Sequence, residues 1–147
     1  MDPDRGESKS QIRWVFVYGT LMKGFANYDN YLKGHVSRIM KGETIGRLYH
    51  LPQGYPALVD GGGVIKGEVM ELNDQDVLKK LDRLEGFEEG GTDNLYERET
   101  RTVALESGER VECWVYLFCD EAYAENNGIE IPGGDWRKFI QKEGALR

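Results

Sequence analysis

The stretch that decides the fold is Arg13–Gly24, RWVFVYGTLMKG. Four apolar residues, Trp14 to Val17, run without a break into Tyr18-Gly19-Thr20. Ile12, Trp14, Phe16 and Tyr18 fall on one face and Val15 and Val17 on the other, so both faces are apolar. That pattern predicts a strand over 12–18 in the middle of a sheet. A glycine directly after a buried strand lets the chain turn with positive φ or pass close to another group. This leaves two readings. Either the strand ends in a plain turn, or the amides of Gly19, Thr20 and Leu21 lack ladder partners and can hold a carboxylate or an oxyanion. The segment is not a P-loop, because no Gly-Lys-Ser/Thr comes after it.

Glycine punctuates the chain on both sides of this strand, and there is no repeat or low-complexity block. NYDNYLKG (27–34) predicts a short helix ended by Gly34. TIGRLYHL (44–51) predicts a strand in which Gly46 marks a bulge. QGYPALVDGGG (53–63) reads as loop and turn around a short strand, and VIKGEVMEL (64–72) as a further strand. Asn73 is expected to cap the clearest helix, with Asp74 and Asp76 in the first turn, where the helix dipole favours anions. Its apolar stripe is Val77, Leu78, Leu81 and Leu84, and Gly86 is its stop. YERETRTVAL (96–105) and RVECWVYLF (110–118) predict a hairpin across ESGE. GDWRKFIQKEG (134–144) predicts a helix capped by Asp135. About six strands and two or three helices, without regular β-α-β alternation, give an α+β fold with a mixed or antiparallel sheet, open or closed into a barrel.

The totals set the class. At 147 residues, 39% apolar and 31% charged, the chain is expected to form one domain over 12–147 behind a disordered tail over 1–11. A net charge of −7, from 19 basic and 26 acidic residues, argues against a nucleic-acid partner. No apolar run approaches the roughly 18–20 residues of a membrane span, and residues 1–11 do not read as a secretory signal. Cys113 and Cys119 are expected on one strand roughly 20 Å apart, beyond disulfide reach, which makes a reducing cytoplasm the default location. His35 and His50 have no Cys or His neighbours at ligand spacing, so no metal site is expected.

Glu85 is the side chain with the most chemistry in it. It lies four residues after Leu81 and seven after Leu78, on the face that packs inward. It also sits in the last turn, where the helix dipole opposes a negative charge. Burial and dipole both push its pKa upward, toward what a general acid or base needs near neutral pH. The competing reading is a glutamate that frays outward beside Glu88 and Glu89. Asp82, on the neighbouring face, is expected to be solvated. Tyr96 and Arg98 are candidates to line a pocket, with Arg98 equally readable as a surface strand residue. Tyr116 alternates with Trp114 and Phe118, either as core or with its hydroxyl in a cavity. Tyr55-Pro56 shapes a rim or forms a turn.

Taken together, these pieces resemble the γ-glutamylcyclotransferase-like family, which includes γ-glutamylamine cyclotransferases and AIG2-like proteins. VFVYGTLMKG resembles its signature strand and loop, and LDRLEGF resembles its helix end with one glutamate before a glycine. NLYERE resembles a weaker Tyr-x-Arg element, and GYPAL recurs in relatives. Order and spacing match over roughly residues 13–118. The resemblance implies a compact β-barrel with flanking helices and an acyltransferase- or lyase-type enzyme without cofactor. Its reaction would be attack of a substrate's own α-amine on its γ-glutamyl carbonyl, releasing 5-oxoproline and a free amine. Carried over by position, Glu85 would be the acid/base. Tyr18, Gly19, Thr20 and Leu21 would bind the substrate, with Tyr55, Tyr96, Arg98 and Tyr116 around them. The expected partner is a small γ-glutamyl molecule, and the expected state is a monomer. The acidic, glycine-rich loop from Phe87 to Asn94 departs from the pattern and leaves the substrate's identity open. Two rivals remain at this point: a non-catalytic binding module on the same fold, and an interaction domain using its acidic surface.

Overall fold

The computed structural model describes residues 12–145. The predicted tail over 1–11 lies outside them. Strand β1 is Trp14–Val17, β2 Val36–His50, β3 Pro56–Leu72, β4 Tyr96–Leu105, β5 Arg110–Phe118 and β6 Ile129–Glu130. The helices are α1, Gln75–Leu84, α2, Glu121–Asn127, and α3, Trp136–Ala145. Five strands close into a barrel in the order β3-β1-β5-β4-β2, with β2 pairing back onto β3 and β6 added at the end of β2. The pair β1–β5 is parallel and every other pair is antiparallel, so the barrel is mixed.

The apolar run in β1 has the place its composition predicts. It lies between β3 and β5, with Val15, Phe16 and Val17 buried. The barrel interior also holds Leu48, Leu58, Ile65, Val69, Met70, Val103, Val115 and Tyr116. The hairpin of β4 and β5 forms in register from Tyr96↔Phe118 to Ala104↔Arg110. Residues 28–32 form a single π-helical turn, after which Gly34 takes a positive φ of 85°.

Four expectations need correction. The segments QGYPALVDGGG and VIKGEVMEL are one strand, because β3 continues through Asp60–Gly63. The ladder with β2 slips between Gly46↔Gly63 and Arg47↔Val59, and the Arg47 stem crosses the bulge so closely that a Cβ at Gly61 would lie 2.3 Å from Arg47 Cγ. Only a residue without a side chain fits under that stem. Strand β2 likewise begins at Val36, well before Thr44. The α1 cap is Asp74 rather than Asn73. Asp74 is extended and its Oδ1 accepts from the amides of Asp76 (2.9 Å) and Val77 (3.3 Å), while Asn73 accepts from Ser37 Oγ. Finally, Cys119 lies one residue past β5, and both cysteines are free thiols. Helix α2 and strand β6 have no counterpart in the sequence reading.

Helix α1 positions the glutamate singled out by the sequence. Val77, Leu78 and Leu81 are buried against the barrel, as the apolar stripe requires. The end of the helix is closed by two backbone bonds: Phe87 N donates to Asp82 O (2.8 Å) and Gly86 N to Arg83 O (3.3 Å), around Gly86 at a φ of 68°. This is a Schellman closure. It fixes Glu85 as the C-cap of the helix, one residue past Leu84, where it lines a cavity at one end of the barrel.

Candidate active site

At that end a cavity of about 290 Å³ opens between the end of β1, the start of β3, the end of α1 and the hairpin. Its walls include Tyr18, Gly19, Thr20, Leu21, Tyr55, Glu85, Tyr96 and Tyr116. The structure therefore brings together eight of the nine residues selected from the sequence. The ninth, Arg98, stands apart from the walls. Its Nε lies 3.0 Å from Asp82 Oδ1, close enough for an ion pair though not aligned for a hydrogen bond. Its guanidinium stacks 4.2 Å from the centre of the Trp114 ring and 5.4 Å from that of Phe87.

The turn after β1 is built by its carbonyls. Gly19 O accepts from Met22 N (3.0 Å) and Thr20 O from Tyr28 N (3.2 Å). Asn27 Nδ2 donates to Thr20 Oγ1 (2.7 Å). The amides of Gly19, Thr20 and Leu21 find no acceptor among the described residues, and all three residues line the cavity. The glycine is needed for a different reason from positive φ, which it does not have. Pro56 presses on it, and a Cβ at 19 would lie 2.4 Å from Pro56 Cγ.

Glu85 lines the same cavity. Burial alone raises its pKa to about 7, and no cation or hydrogen-bond donor among the described residues offsets that. Its charge is felt by all three buried phenols. Burial first, and Glu85 among the further causes, pushes Tyr18, Tyr96 and Tyr116 well up, so these groups stay protonated. The phenols are anchored: Tyr18 Oη donates to Tyr116 O (2.6 Å), Tyr96 Oη to Pro56 O (2.6 Å) and Tyr116 Oη to Asp82 Oδ1 (2.7 Å).

Asp82 is thus not the solvated residue its helix position suggested. Its side chain is 17% exposed and lies between Tyr116 and Arg98. Desolvation raises its pKa, and the Tyr116 hydrogen bond and then the Arg98 charge work against that. The signal in the sequence was the three-residue step from Asp82 to Glu85, which places both on adjoining faces of one turn. Asn27, Gln53, Pro56, Leu84 and Leu95 also line the cavity. Pro56 answers the reading of Tyr55-Pro56 as a rim, and Leu84 ends the apolar stripe of α1. Asn27, Gln53 and Leu95 come together here only through tertiary contacts, and their local patterns gave no sign of it. The acidic loop is tied off by a pair of bonds between Glu88 and Asn94, from Glu88 N to Asn94 Oδ1 (2.9 Å) and from Asn94 Nδ2 to Glu88 O (3.0 Å). Leu95 leaves it directly into the cavity wall.

Among the described residues, no lysine, arginine or histidine lines the cavity. An anionic group entering it meets unpaired amides, and a donor meets Glu85 and the fixed phenol oxygens. That arrangement can hold a zwitterion and move a proton.

Comparison with known proteins gives three results. Residues 15–138 match the model of the family described as "Gamma-glutamyl cyclotransferase, AIG2-like". The chain is 35% identical over 130 residues to "Putative gamma-glutamylcyclotransferase MJ1514" of Methanocaldococcus jannaschii, covering 87% of this chain and 98% of that one. It is 32% identical over 126 residues to "Gamma-L-glutamyl-butirosin B gamma-glutamyl cyclotransferase" of Niallia circulans, covering 85% and 76%. Among solved structures, YkqA from Bacillus subtilis superposes with a TM-score of 0.66 at 26% identity, over 89% of this chain and 42% of that longer one.

Proposed function

This chain belongs to the gamma-glutamyl cyclotransferase, AIG2-like family, and from that premise we propose that it cleaves a γ-glutamyl amide by internal attack, releasing 5-oxoproline and an amine. The observation that carries the reading is the placement of one carboxyl with a pKa near 7 in the same cavity as three unpaired amides.

The chemistry comes from what the cavity contains. With no side-chain cation in its described walls, the substrate's α-carboxylate is held by the amides of Gly19, Thr20 and Leu21. The substrate's α-ammonium gives one proton to Glu85, and its nitrogen attacks the γ-carbonyl carbon. A C–N bond forms and the carbonyl electrons move to oxygen. When they return, the γ-carbon to leaving-nitrogen bond breaks and Glu85 passes its proton to the departing nitrogen. The ring nitrogen, which still carries two hydrogens, then gives one to Glu85, which relays it so that the amine leaves as an ammonium. The proton count balances, and the nucleophile comes from the substrate, so no Ser-His or Cys-His pair is required. Folding the substrate so that its two ends meet supplies the proximity effect.

The test is a panel of γ-glutamyl amines and γ-glutamyl peptides given to the purified protein, with 5-oxoproline followed. Turnover of at least one is expected, and Glu85→Gln should lower it by about 10²–10⁴-fold while the circular dichroism stays the same. Binding of 5-oxoproline without turnover of any member at any pH would leave a binding module instead. Full activity in Glu85→Gln would remove that residue from the mechanism.

A further inference from the structure

Four tyrosines line the cavity, Tyr55 half-buried and Tyr18, Tyr96 and Tyr116 buried, and each of the three buried ones has given its only hydrogen to a partner whose chemistry fixes the direction. Tyr18 and Tyr96 donate to the carbonyl oxygens of Tyr116 and Pro56, which can only accept. Tyr116 donates to Asp82, a carboxylate with Arg98 Nε 3.0 Å from the same oxygen. A hydroxyl in this state has lone pairs left and nothing to donate. Tyr18 is further engaged with the backbone of Leu58. Tyr96 and Tyr116 remain as potential acceptors, and both line the cavity together with Glu85 and with Gly19, Thr20 and Leu21.

Resting on the γ-glutamyl reading, we infer that Tyr96 and Tyr116 are specificity-determining residues that accept hydrogen bonds from the substrate's α-amino group, and that Asp82, held by Arg98, is a positioning residue that keeps the Tyr116 hydrogen out of the cavity. Once Glu85 has taken one proton, the amine retains two N–H groups. Two phenol oxygens match that number. An amine that donates both hydrogens to fixed acceptors has its lone pair left for the γ-carbon, which is the orientation ring closure needs. The support behind Tyr116 is rigid. Arg98 is its cross-strand partner in the hairpin, and its guanidinium is stacked between Trp114 and Phe87. Asp82 sits one turn before Glu85 on α1, so one contact ties the acceptor and the proton carrier together.

The experiment compares two ligands by calorimetry on the Glu85→Gln protein, which should hold substrate uncleaved. One is γ-glutamyl methylamide. The other is glutaric acid monomethylamide, the same chain without the α-amino group. With about tenfold for each hydrogen bond, the first should bind about 100-fold tighter. Adding Tyr116→Phe or Asp82→Ala should cut that ratio about tenfold by weakening the first ligand alone. Adding Asp82→Asn, which keeps an oxygen for the Tyr116 hydrogen, should restore most of it. Equal weakening of both ligands would mean that Asp82 and Tyr116 serve structure only, and would overturn the inference. So would a full ratio in both Tyr116→Phe and Asp82→Ala. If neither ligand binds before the second substitution is made, the γ-glutamyl reading itself fails.

Discussion

Gly19 and Pro56 stand so close that no side chain fits between them: a Cβ on residue 19 would lie 2.4 Å from Pro56 Cγ and 2.9 Å from Cδ. This contact sets the turn whose amides line the cavity against the first residue of β3. The same proline presents its carbonyl to Tyr96 Oη at 2.6 Å. Gly19→Ala must therefore push the turn or the proline aside. A displacement of about 1 Å at a positioning element costs about 10²-fold, so kcat/KM should fall by that order. Pro56→Ala removes Cγ and Cδ and leaves Cβ, at 3.8 Å, in ordinary contact with the methyl group added at 19. The double variant should then recover activity relative to Gly19→Ala alone. Steady-state kinetics on the three proteins check this, and a double variant no better than the single one would show that the crowding is not what matters.

The helix that carries Glu85 starts at a cap whose identity the structure settles. Asp74 Oδ1 accepts from two backbone amides, whereas Asn73 Oδ1 is engaged with Ser37. Asp74→Ala should cost about 1 kcal/mol in urea unfolding, the usual loss of an N-cap. Asn73→Ala should cost clearly less, because only an exposed side-chain pair is lost. The reverse order would return the cap to Asn73.

Tyr18 and Tyr116 are joined through a side chain and a backbone, across the parallel pair β1–β5. Tyr18→Phe keeps the ring and removes the donor, so the Tyr116 carbonyl loses its buried partner. That should lower unfolding free energy by about 1–3 kcal/mol. A loss under about 0.5 kcal/mol would mean that another donor, water included, takes the position.

These cases also show which parts of the molecule could be read from its residues. Trp14–Val17 announces a central strand because both its faces are apolar, and the α1 stripe announces one buried face because its spacing is helical. Glu85 could be found because it continues that stripe. Each of these signals is local and periodic. What was not legible depended on contacts distant in sequence. The run Asp60–Gly63 looks like a turn, yet it is a bulge in a strand, because Arg47 from the neighbouring strand lies across it. Asp82 looks solvated by helix position, yet Tyr116 and Arg98 from the hairpin enclose it. Asn27 and Leu95 line the cavity from segments whose local patterns gave no sign of it. The need for glycine at 19 was legible, but its cause, a proline far along the chain at 56, was not.

At Glu85, activity and stability are expected to respond to pH in opposite directions. Burial raises this carboxyl to about 7 in the folded protein, against about 4.3 for a glutamate in an unfolded chain. Between those values the folded protein holds a proton that the unfolded chain has released. The unfolded state binds fewer protons, so stability falls as pH rises from about 4.3 and levels off above about 7. The interval corresponds to a few kcal/mol at most, on the order of 3–4. Glu85→Gln cannot titrate, so its melting temperature should match that of the unaltered protein near pH 4 and exceed it above pH 7. Turnover runs the other way. The base must be ionised to take the amine's proton, so kcat/KM should climb about tenfold per pH unit below about 7 and flatten beyond. Melting curves from pH 4 to 8 for the two proteins, set beside a pH–rate profile for the unaltered one, test both halves. A melting difference that stays constant over that range would mean a carboxyl in ordinary contact with water, and a side chain in that state could not be the proton carrier proposed for this cavity.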